Sequence, residues 1–322
     1  MKTPASIAIT GLDTFLGRNL AERLLERERP PRIVGLDLRL PLRLEGRVGF
    51  HRVDLTDPVA DRTLATILAE EGVDTLVHLA FRSGPTADIE YDHELEALGS
   101  HHVLNASAAA KVSRFVLASS TSVYGPHADN PNFLDESHEL RGHRDAHCVQ
   151  NRVEVERLVA GWRARHPDTE VCVLRHCWVM GPSYSDEVVR FFERSAVPVL
   201  LGYDPLLQFV HEDDLLRVFE RAALESHPGV YNIVGTGVVP LSTLLALGDK
   251  RSLPMPPALF YRVANYPSQG QTGDPPAGFY DYLRYLWVAA GERGWSEFGR
   301  PVYSTKEAWI SFVSSRRMRG YR

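Results

Sequence analysis

Two groups of residues in this 322-residue chain have the types and spacing for chemistry. The first is Thr10-Gly11-Leu-Asp-Thr14-Phe15-Leu16-Gly17, followed twenty residues after Gly17 by Asp37. Glycines in such a turn let backbone N–H groups close on a phosphate, and a carboxylate at that remove accepts from both ribose hydroxyls while repelling a 2′-phosphate. That chemistry is dinucleotide recognition, with NAD preferred. Arg32 and Arg39 blur the preference and keep NADP open. The middle position of the G-x-x-G-x-x-G spacing is Thr14, whose Cβ stands where backbone should approach a pyrophosphate, so binding is expected to be weakened or rearranged. The second group is Asp135-Glu-Ser-His138…Arg141-Gly-His143-Arg-Asp145-Ala-His147-Cys148. His143 and His147 are four apart and on one helix would share a face as metal ligands, yet solvated histidines are the default in so charged a loop, and no metal is assigned. His147 titrates near neutrality and is a better candidate for acid/base work beside Ser120.

The glycine turn is framed by elements that must hold it. Ile7 and Ile9 make a short β-run, Leu16, Leu20 and Leu24 put an apolar stripe on a helix starting near Phe15, and Ile33 to Asp37 reads as the next strand. This is a βαβ unit. Val48 to Val53 is a third strand; Asp54 at its end is placed to accept from an adenine amino group or simply to close a turn, and Asp57-Pro58 starts a helix. Thr75-Leu-Val-His78-Leu79-Ala80 is a buried parallel strand with His78 as a satisfied core histidine, Asp88 to Lys111 is helical, and Arg114 to Ser120 is a strand with a polar end. Ligands in doubly wound sheets lie beyond the carboxyl ends of the strands, which puts Ser119, Ser120 and Thr121 at any site.

The chain resembles the extended short-chain dehydrogenase/reductase superfamily, the NAD-dependent epimerase/dehydratase family within it. The resemblance is carried by Thr10-Gly11…Gly17, Val34-Gly-Leu-Asp37, Asp54-Leu55-Thr-Asp57, Val77-His-Leu79-Ala80, Arg114 through Ser120 to Tyr124-Gly125, Val173-Leu-Arg175, Val179-Met-Gly-Pro182 and Phe209-Val-His-Glu-Asp-Asp214, in the family's order to about residue 235. It implies an α/β fold, a doubly wound (Rossmann) parallel sheet of seven strands with a smaller C-terminal substrate lobe. It also implies NAD or NADP on Thr10, Gly11, Thr14, Phe15, Leu16, Gly17, Asp37, Arg39, Asp54, Leu55, Leu79, Ala80 and Arg152.

The family's chemistry uses a Tyr-x-x-x-Lys pair with a Ser or Thr, the tyrosine as acid or base and the lysine lowering its pKa. Ser120 keeps the Ser, but Cys148 stands at the Tyr position and Arg152 at the Lys position. The only lysines are Lys2, Lys111, Lys250 and Lys306, and the residues four before the last three are Ser107, Ala246 and Val302, so the pair is absent from the whole chain. Arg152 beside it would lower the Cys148 thiol, although cysteine is shorter than tyrosine by most of a ring. Arg152 can bind a ribose or phosphate but stays protonated. Glu96 and His102 stand nearest the family's asparagine, and His176 where proline would follow Arg175. The chain therefore reads as an NAD(P)-binding protein with a degenerate active site, a sensor or interaction module; the alternative is an oxidoreductase or epimerase/dehydratase using Ser120 with His147 or Cys148.

Composition sets the remaining bounds. With 44% hydrophobic and 24% charged residues, and a net charge of −5, nothing gathers nucleic acid or anionic lipid. No membrane span or signal segment is read, and three cysteines without a framework, Cys172 and Cys177 on one strand, point to a reduced cytoplasmic protein. The partner is an unidentified small molecule, and a homodimer is allowed. Domain boundaries are expected at 1–175 for the dinucleotide domain, completed by about 209–235, with 176–208 and 236–322 as the substrate lobe. Within that lobe nine Pro and Gly residues rule out one helix over 254–278, with Tyr261, Tyr266 and Phe279 capping or lining a cleft or simply packing in a core. Tyr280 to Ala290 reads as helix, Ser304-Thr-Lys-Glu307 as a capping box, and the arginines from Arg316 as a helix end suited to the dipole without a partner.

Overall fold

The computed structural model describes residues 4–82, 88–264 and 278–320. The opening βαβ unit forms where the apolar spacing places it. β1 (Ser6–Thr10) is buried throughout, α1 (Phe15–Leu25) turns Leu20, Ala21 and Leu24 inward, and β2 (Arg32–Asp37) lies parallel to β1. β3 (Gly49–Arg52), α2 (Ala60–Glu70) and β4 (Thr75–His78) follow. The helix expected from Pro58 starts at Ala60, because the Asp57 carboxylate takes the Val59 N–H at 2.9 Å and caps a preceding turn instead. The run expected over 88–111 is helical from Ile89 to Ala109, but a π-helical turn, Glu94–Leu98, separates α3 (Ile89–His93) from α4 (Gly99–Ala109).

β5 (Arg114–Ser120) leads through a short 3-10 turn and a long connection into α5 (His147–Arg165) and β6 (Glu170–His176). Beyond these come β7 (Trp178–Met180), α6 (Glu187–Glu193), β8 (Ala196–Leu200), β9 (Leu206–Leu207), β10 (Phe209–His211), α7 (Glu212–Leu224) and β11 (Gly229–Ile233). The chain continues with β12 (Val239–Pro240), α8 (Leu241–Leu247), β13 (Arg251–Met255), α9 (Pro257–Ala264), α10 (Glu292–Phe298) and α11 (Thr305–Gly320).

Seven strands form one parallel sheet in the order β3-β2-β1-β4-β5-β6-β11. The order reverses between β1 and β4. The crevice above their carboxyl ends is where such sheets bind ligands. β11 joins the sheet beside β6, while among the described residues β7 pairs only with β10, so the chain leaves the sheet after His176 and returns at Gly229. A buried polar lattice fastens this closure. Arg175 donates to both Glu156 oxygens at 2.9 and 3.0 Å and to Tyr124 Oη at 2.8 Å, and Tyr124 donates to Asn232 Oδ1 at 2.8 Å. Burial holds the Tyr124 phenol up at about 12.

The C-terminal part has its own aromatic core, with Phe192 edge-on to Trp309 and Trp309 stacked on Phe209. The helix expected over 280–290 is only a 3-10 turn, Phe279–Leu283. Tertiary bonds outbid the helix: Gln208 holds Ala289 through both its N–H and its carbonyl, and the Leu134 and Ala290 backbones pair. Tyr282, Leu283 and Trp287 are buried all the same. Ser304 and Glu307 make the expected capping box, with Ser304 N donating to Glu307 Oε2 at 2.8 Å. Arg316 is not a free terminal cation; it donates to the Pro182 and Tyr184 carbonyls at 2.9 and 2.8 Å. Tyr266 lies outside the described residues.

Candidate dinucleotide and ligand site

The phosphate turn is built by close packing. Gly11 has φ +71°, and a Cβ there would overlap the backbone of Leu79 and Ala80; a Cβ at Gly17 would overlap the Gly11 carbonyl oxygen. Both positions therefore need glycine, and they seat the start of α1 against the ends of β1 and β4. Thr14 is the N-cap of α1. Its hydroxyl donates to the Gly11 carbonyl at 2.7 Å and accepts from the Gly17 N–H at 3.0 Å. The threonine thus replaces the flexibility of glycine with a capped turn, and its oxygen is directed into the loop. The Phe15 and Leu16 N–H groups have no acceptor among the described residues, so two free donors and the positive helix end face the crevice.

An open cavity of about 950 Å³ extends over this turn. Of the predicted cofactor residues, Gly11, Thr14, Phe15, Leu16, Asp37, Arg39, Asp54, Leu55, Leu79, Ala80 and Arg152 line it, whereas Thr10 and Gly17 lie beneath. Thr10 serves the core, its hydroxyl 2.6 Å from His78 Nδ1, while His78 Nε2 is 2.8 Å from Ser100 Oγ. Burial drops the His78 pKa to about 3. Asp37 accepts from the Asp13 N–H at 2.8 Å and the Leu38 N–H at 2.6 Å, which aims its carboxylate at the cavity rim. Asp54 is exposed and accepts from Thr56 N at 3.0 Å.

A smaller cavity of about 130 Å³ continues inward. Ser120 and Cys148 line it, and Arg152, His176 and Tyr184 stand at the junction of the two cavities. Ser120 is buried, and its hydroxyl accepts from the Ser122 N–H at 3.2 Å. Arg152 lies over the Phe81 ring at 4.9 Å and makes no hydrogen bond to a described residue. The expected thiol activation is overturned: burial, then the Glu96 charge, pushes the Cys148 thiol up to about 11 in spite of Arg152. Glu96 is itself buried on the π turn, bonded to Arg82 N and Asn151 Nδ2 at 2.9 and 3.1 Å, and burial raises its pKa. His102 lines neither cavity.

His147 is also not where acid/base work would need it. It is the exposed first residue of α5 and lines neither cavity, since adjacent helical positions point about 100° apart. Nor do His143 and His147 share a helix face: His143 precedes α5, is buried, and lies 2.8 Å from Asp281 Oδ2. Among the described residues no cluster of His, Cys, Asp or Glu could hold a metal.

Three side chains in the site carry no sequence signal of their role. His176 ends β6 level with Ser120, its Nδ1 2.9 Å from the Cys177 carbonyl, and burial lowers its pKa to about 4. Tyr184 and Asp186 come from the turn into α6; burial, then the nearby Asp186 charge, holds the Tyr184 phenol well above its ordinary value. Asp186 is legible as a helix N-cap, accepting from the Val189 N–H at 2.8 Å. That it faces the sheet end is a product of the chain's path through β7.

Strand order, glycine turn and crevice define a dinucleotide-binding doubly wound α/β protein. The NAD dependent epimerase/dehydratase family model matches residues 7–234, and the chain belongs to that family. It is 28% identical over 324 residues to an uncharacterised protein of Mycobacterium tuberculosis, covering 97% of this chain and 84% of the relative. A second uncharacterised M. tuberculosis protein is 26% identical over 285 residues, covering 87% of this chain and 28% of the relative. Among solved structures it is similar to a UDP-glucose 4-epimerase of Thermus thermophilus in complex with NAD, with a TM-score of 0.73, 20% identity, and 97% and 99% of the two chains covered. It is also similar to a dTDP-glucose 4,6-dehydratase of Bacillus anthracis in complex with NAD, with a TM-score of 0.73, 15% identity, and 98% and 97% coverage. The family is NAD-dependent, and this chain's crevice fits such a group: its volume lies at the upper end of ligand pockets, and among the described residues two N–H donors without acceptors and the Arg39 and Arg152 guanidinia, neither in an ion pair, border it.

Proposed function

We propose that this protein binds NAD over the N-terminus of α1, with the adenosine ribose on Asp37, and does not run the tyrosine–lysine chemistry of its family. It then acts as an NAD-responsive sensor or interaction module. The observation that carries this reading is α5 itself, which presents Cys148 and Arg152 toward the cavities, the thiol held at about 11. NAD, when bound, supplies a hydride acceptor; Phe15 and Leu16 N–H groups hold its phosphates, Arg152 its nicotinamide ribose. A cytoplasmic setting fits three unpaired cysteines, and among the described residues no helix is long and apolar enough to cross a membrane.

Isothermal titration tests the binding half: NAD binds, and Asp37→Ala weakens it by about tenfold, the loss of charge-assisted bonds to a ribose. Equal affinity of wild type and variant would remove Asp37 from the site. The catalytic half predicts flat NADH absorbance with UDP-glucose, where losing a positioned acid/base costs roughly 10² to 10⁴ in rate. A second reading, an oxidoreductase or epimerase/dehydratase with a relocated proton donor, is favoured by the Tyr184–Asp186 pair bordering the cavity that Ser120 lines. Turnover by wild type that Tyr184→Phe abolishes and Cys148→Ala spares would establish that reading over the first.

A further inference from the structure

On the side away from Asp37 the outer cavity ends at a stretch with no regular structure. Residues 181–186 join β7 to α6, and Ser183, Tyr184 and Ser185 line the cavity. A segment in neither helix nor ladder must find other partners for its backbone groups. Two side chains from distant elements supply them. Glu212, buried at the start of α7, accepts from the Ser183 N–H at 3.1 and 3.0 Å and from the Tyr184 N–H at 2.6 Å. Arg316, near the end of α11, donates through Nη1 to the Pro182 carbonyl at 2.9 Å and through Nη2 to the Tyr184 carbonyl at 2.8 Å. The carboxylate takes the N–H side of the turn and the guanidinium the carbonyl side, so each bond is charge-assisted. A Cβ at Gly181 would overlap the Glu212 carboxylate, so this glycine keeps the clamp's seat open.

The sheet order says which end of a ligand this turn meets. Asp37 ends β2, whereas Ser120 and His176 end β5 and β6, three and four strand spacings away, roughly 14 and 19 Å. The turn belongs to that far end: Tyr184 borders the cavity with His176 and Arg152, and its ring stands edge-on to Phe15 at 4.9 Å, at the start of α1. A dinucleotide with its adenosine on Asp37 therefore meets residues 183–185 with its nicotinamide half.

We propose that Arg316 is a positioning residue for this site: with Glu212 it clamps the turn that walls the nicotinamide end of the crevice, so that α11 sets the affinity for that half of NAD and leaves the adenosine half alone. The proposal rests on the NAD reading. The two arms of the clamp differ in what else holds them. Glu212 is buried where β10 runs into α7, and belongs to the body of the protein. Arg316 comes from the C-terminal helix, and its Nε stands 2.6 Å from Glu193 Oε1 at the end of α6, so one guanidinium fixes the turn and the helix that follows it. Without that guanidinium both carbonyls lose their donor and α6 loses its tie, while Glu212 still holds the N–H side. The turn then pivots on its remaining anchor, and the cavity wall moves. An arginine that merely stapled α11 to the body would change stability and leave the balance between ligands as it was.

The test compares NAD with ADP, which carries the adenosine half and stops short of the turn, by isothermal titration against the full chain. Arg316→Ala is expected to weaken NAD about tenfold and to leave ADP within about twofold. Arg316→Lys, which keeps the charge but lacks the planar fork that reaches two carbonyls, falls between wild type and Arg316→Ala for NAD and again spares ADP. Arg317→Ala, at a neighbouring half-exposed arginine 3.8 Å from Asp249, changes neither. An NAD-to-ADP affinity ratio equal to that of wild type in folded Arg316→Ala would overturn the proposal and leave the NAD reading standing. Should Arg316→Ala not fold, the same ratio in Arg316→Lys decides. Wild type that binds neither ligand defeats the NAD reading itself and this proposal with it.

Discussion

Cys148 and Arg152 stand one turn apart on α5, and the structure decides between the two effects that sequence sets against each other at the thiol. Arg152 favours the thiolate and burial opposes it; burial wins, and the thiol rises to about 11. At pH 8 a thiol with that pKa is ionised to about one part in a thousand, since each unit is a factor of ten. Cys172 and Cys177 are buried and raised further by the same cause. Native protein at pH 8 is therefore expected to resist iodoacetamide at all three cysteines and to take up three adducts once denatured, as counted by intact mass. Rapid native alkylation of Cys148 would restore it as a nucleophile.

At the scale of elements, α1 and the π turn do most to shape the site. Thr14 ends the ambiguity of the glycine spacing by capping the helix, so the turn loses a glycine and gains two hydrogen bonds. Thr14→Ala should cost about 1 kcal/mol in urea unfolding, the usual worth of an N-cap, and Thr14→Ser should cost much less. Equal stability of all three proteins would mean the cap contributes nothing. The π turn rotates Glu96 inward against Arg82 and Asn151, a distortion typical of functional sites. A regular helix through 94–98 would present a different residue to α5.

Over the whole molecule, the parallel sheet buries polar groups that couple stability to pH. His78 lies between β1 and α4, fully buried, with a pKa of about 3 in the folded state against an ordinary 6.5. The unfolded chain therefore binds a proton at His78 from about pH 6.5 downward while the folded chain does not until about pH 3. Stability should fall as pH drops through that window, by at most about 5 kcal/mol from this one group. Melting temperatures at pH 7, 5.5 and 4.5 check the sign, and His78→Gln should flatten the slope. An unchanged slope in that variant would assign acid sensitivity elsewhere, with His176, lowered to about 4, the next candidate.

The sequence by itself determined the βαβ start, the order of strands to β6, the need for Gly11 and Gly17, the place of Asp37 and the loss of Tyr-x-x-x-Lys. These are local: each rests on apolar period, on backbone sterics, or on residue identity at a motif position. Only the tertiary structure decided which polar groups share the inner cavity. Helix phase carried His147 into solvent, one residue from Cys148, and burial reversed the thiol's direction. Contacts with Gln208 and Leu134 unwound the helix that apolar spacing suggests over 280–290. Tyr184 and Asp186 reach the end of a sheet whose neighbouring strand they do not adjoin in sequence, because Glu212 and Arg316 pin their turn from 28 and 132 residues away. Desolvation and long-range pinning depend on what surrounds a residue in space, and a linear pattern does not encode that.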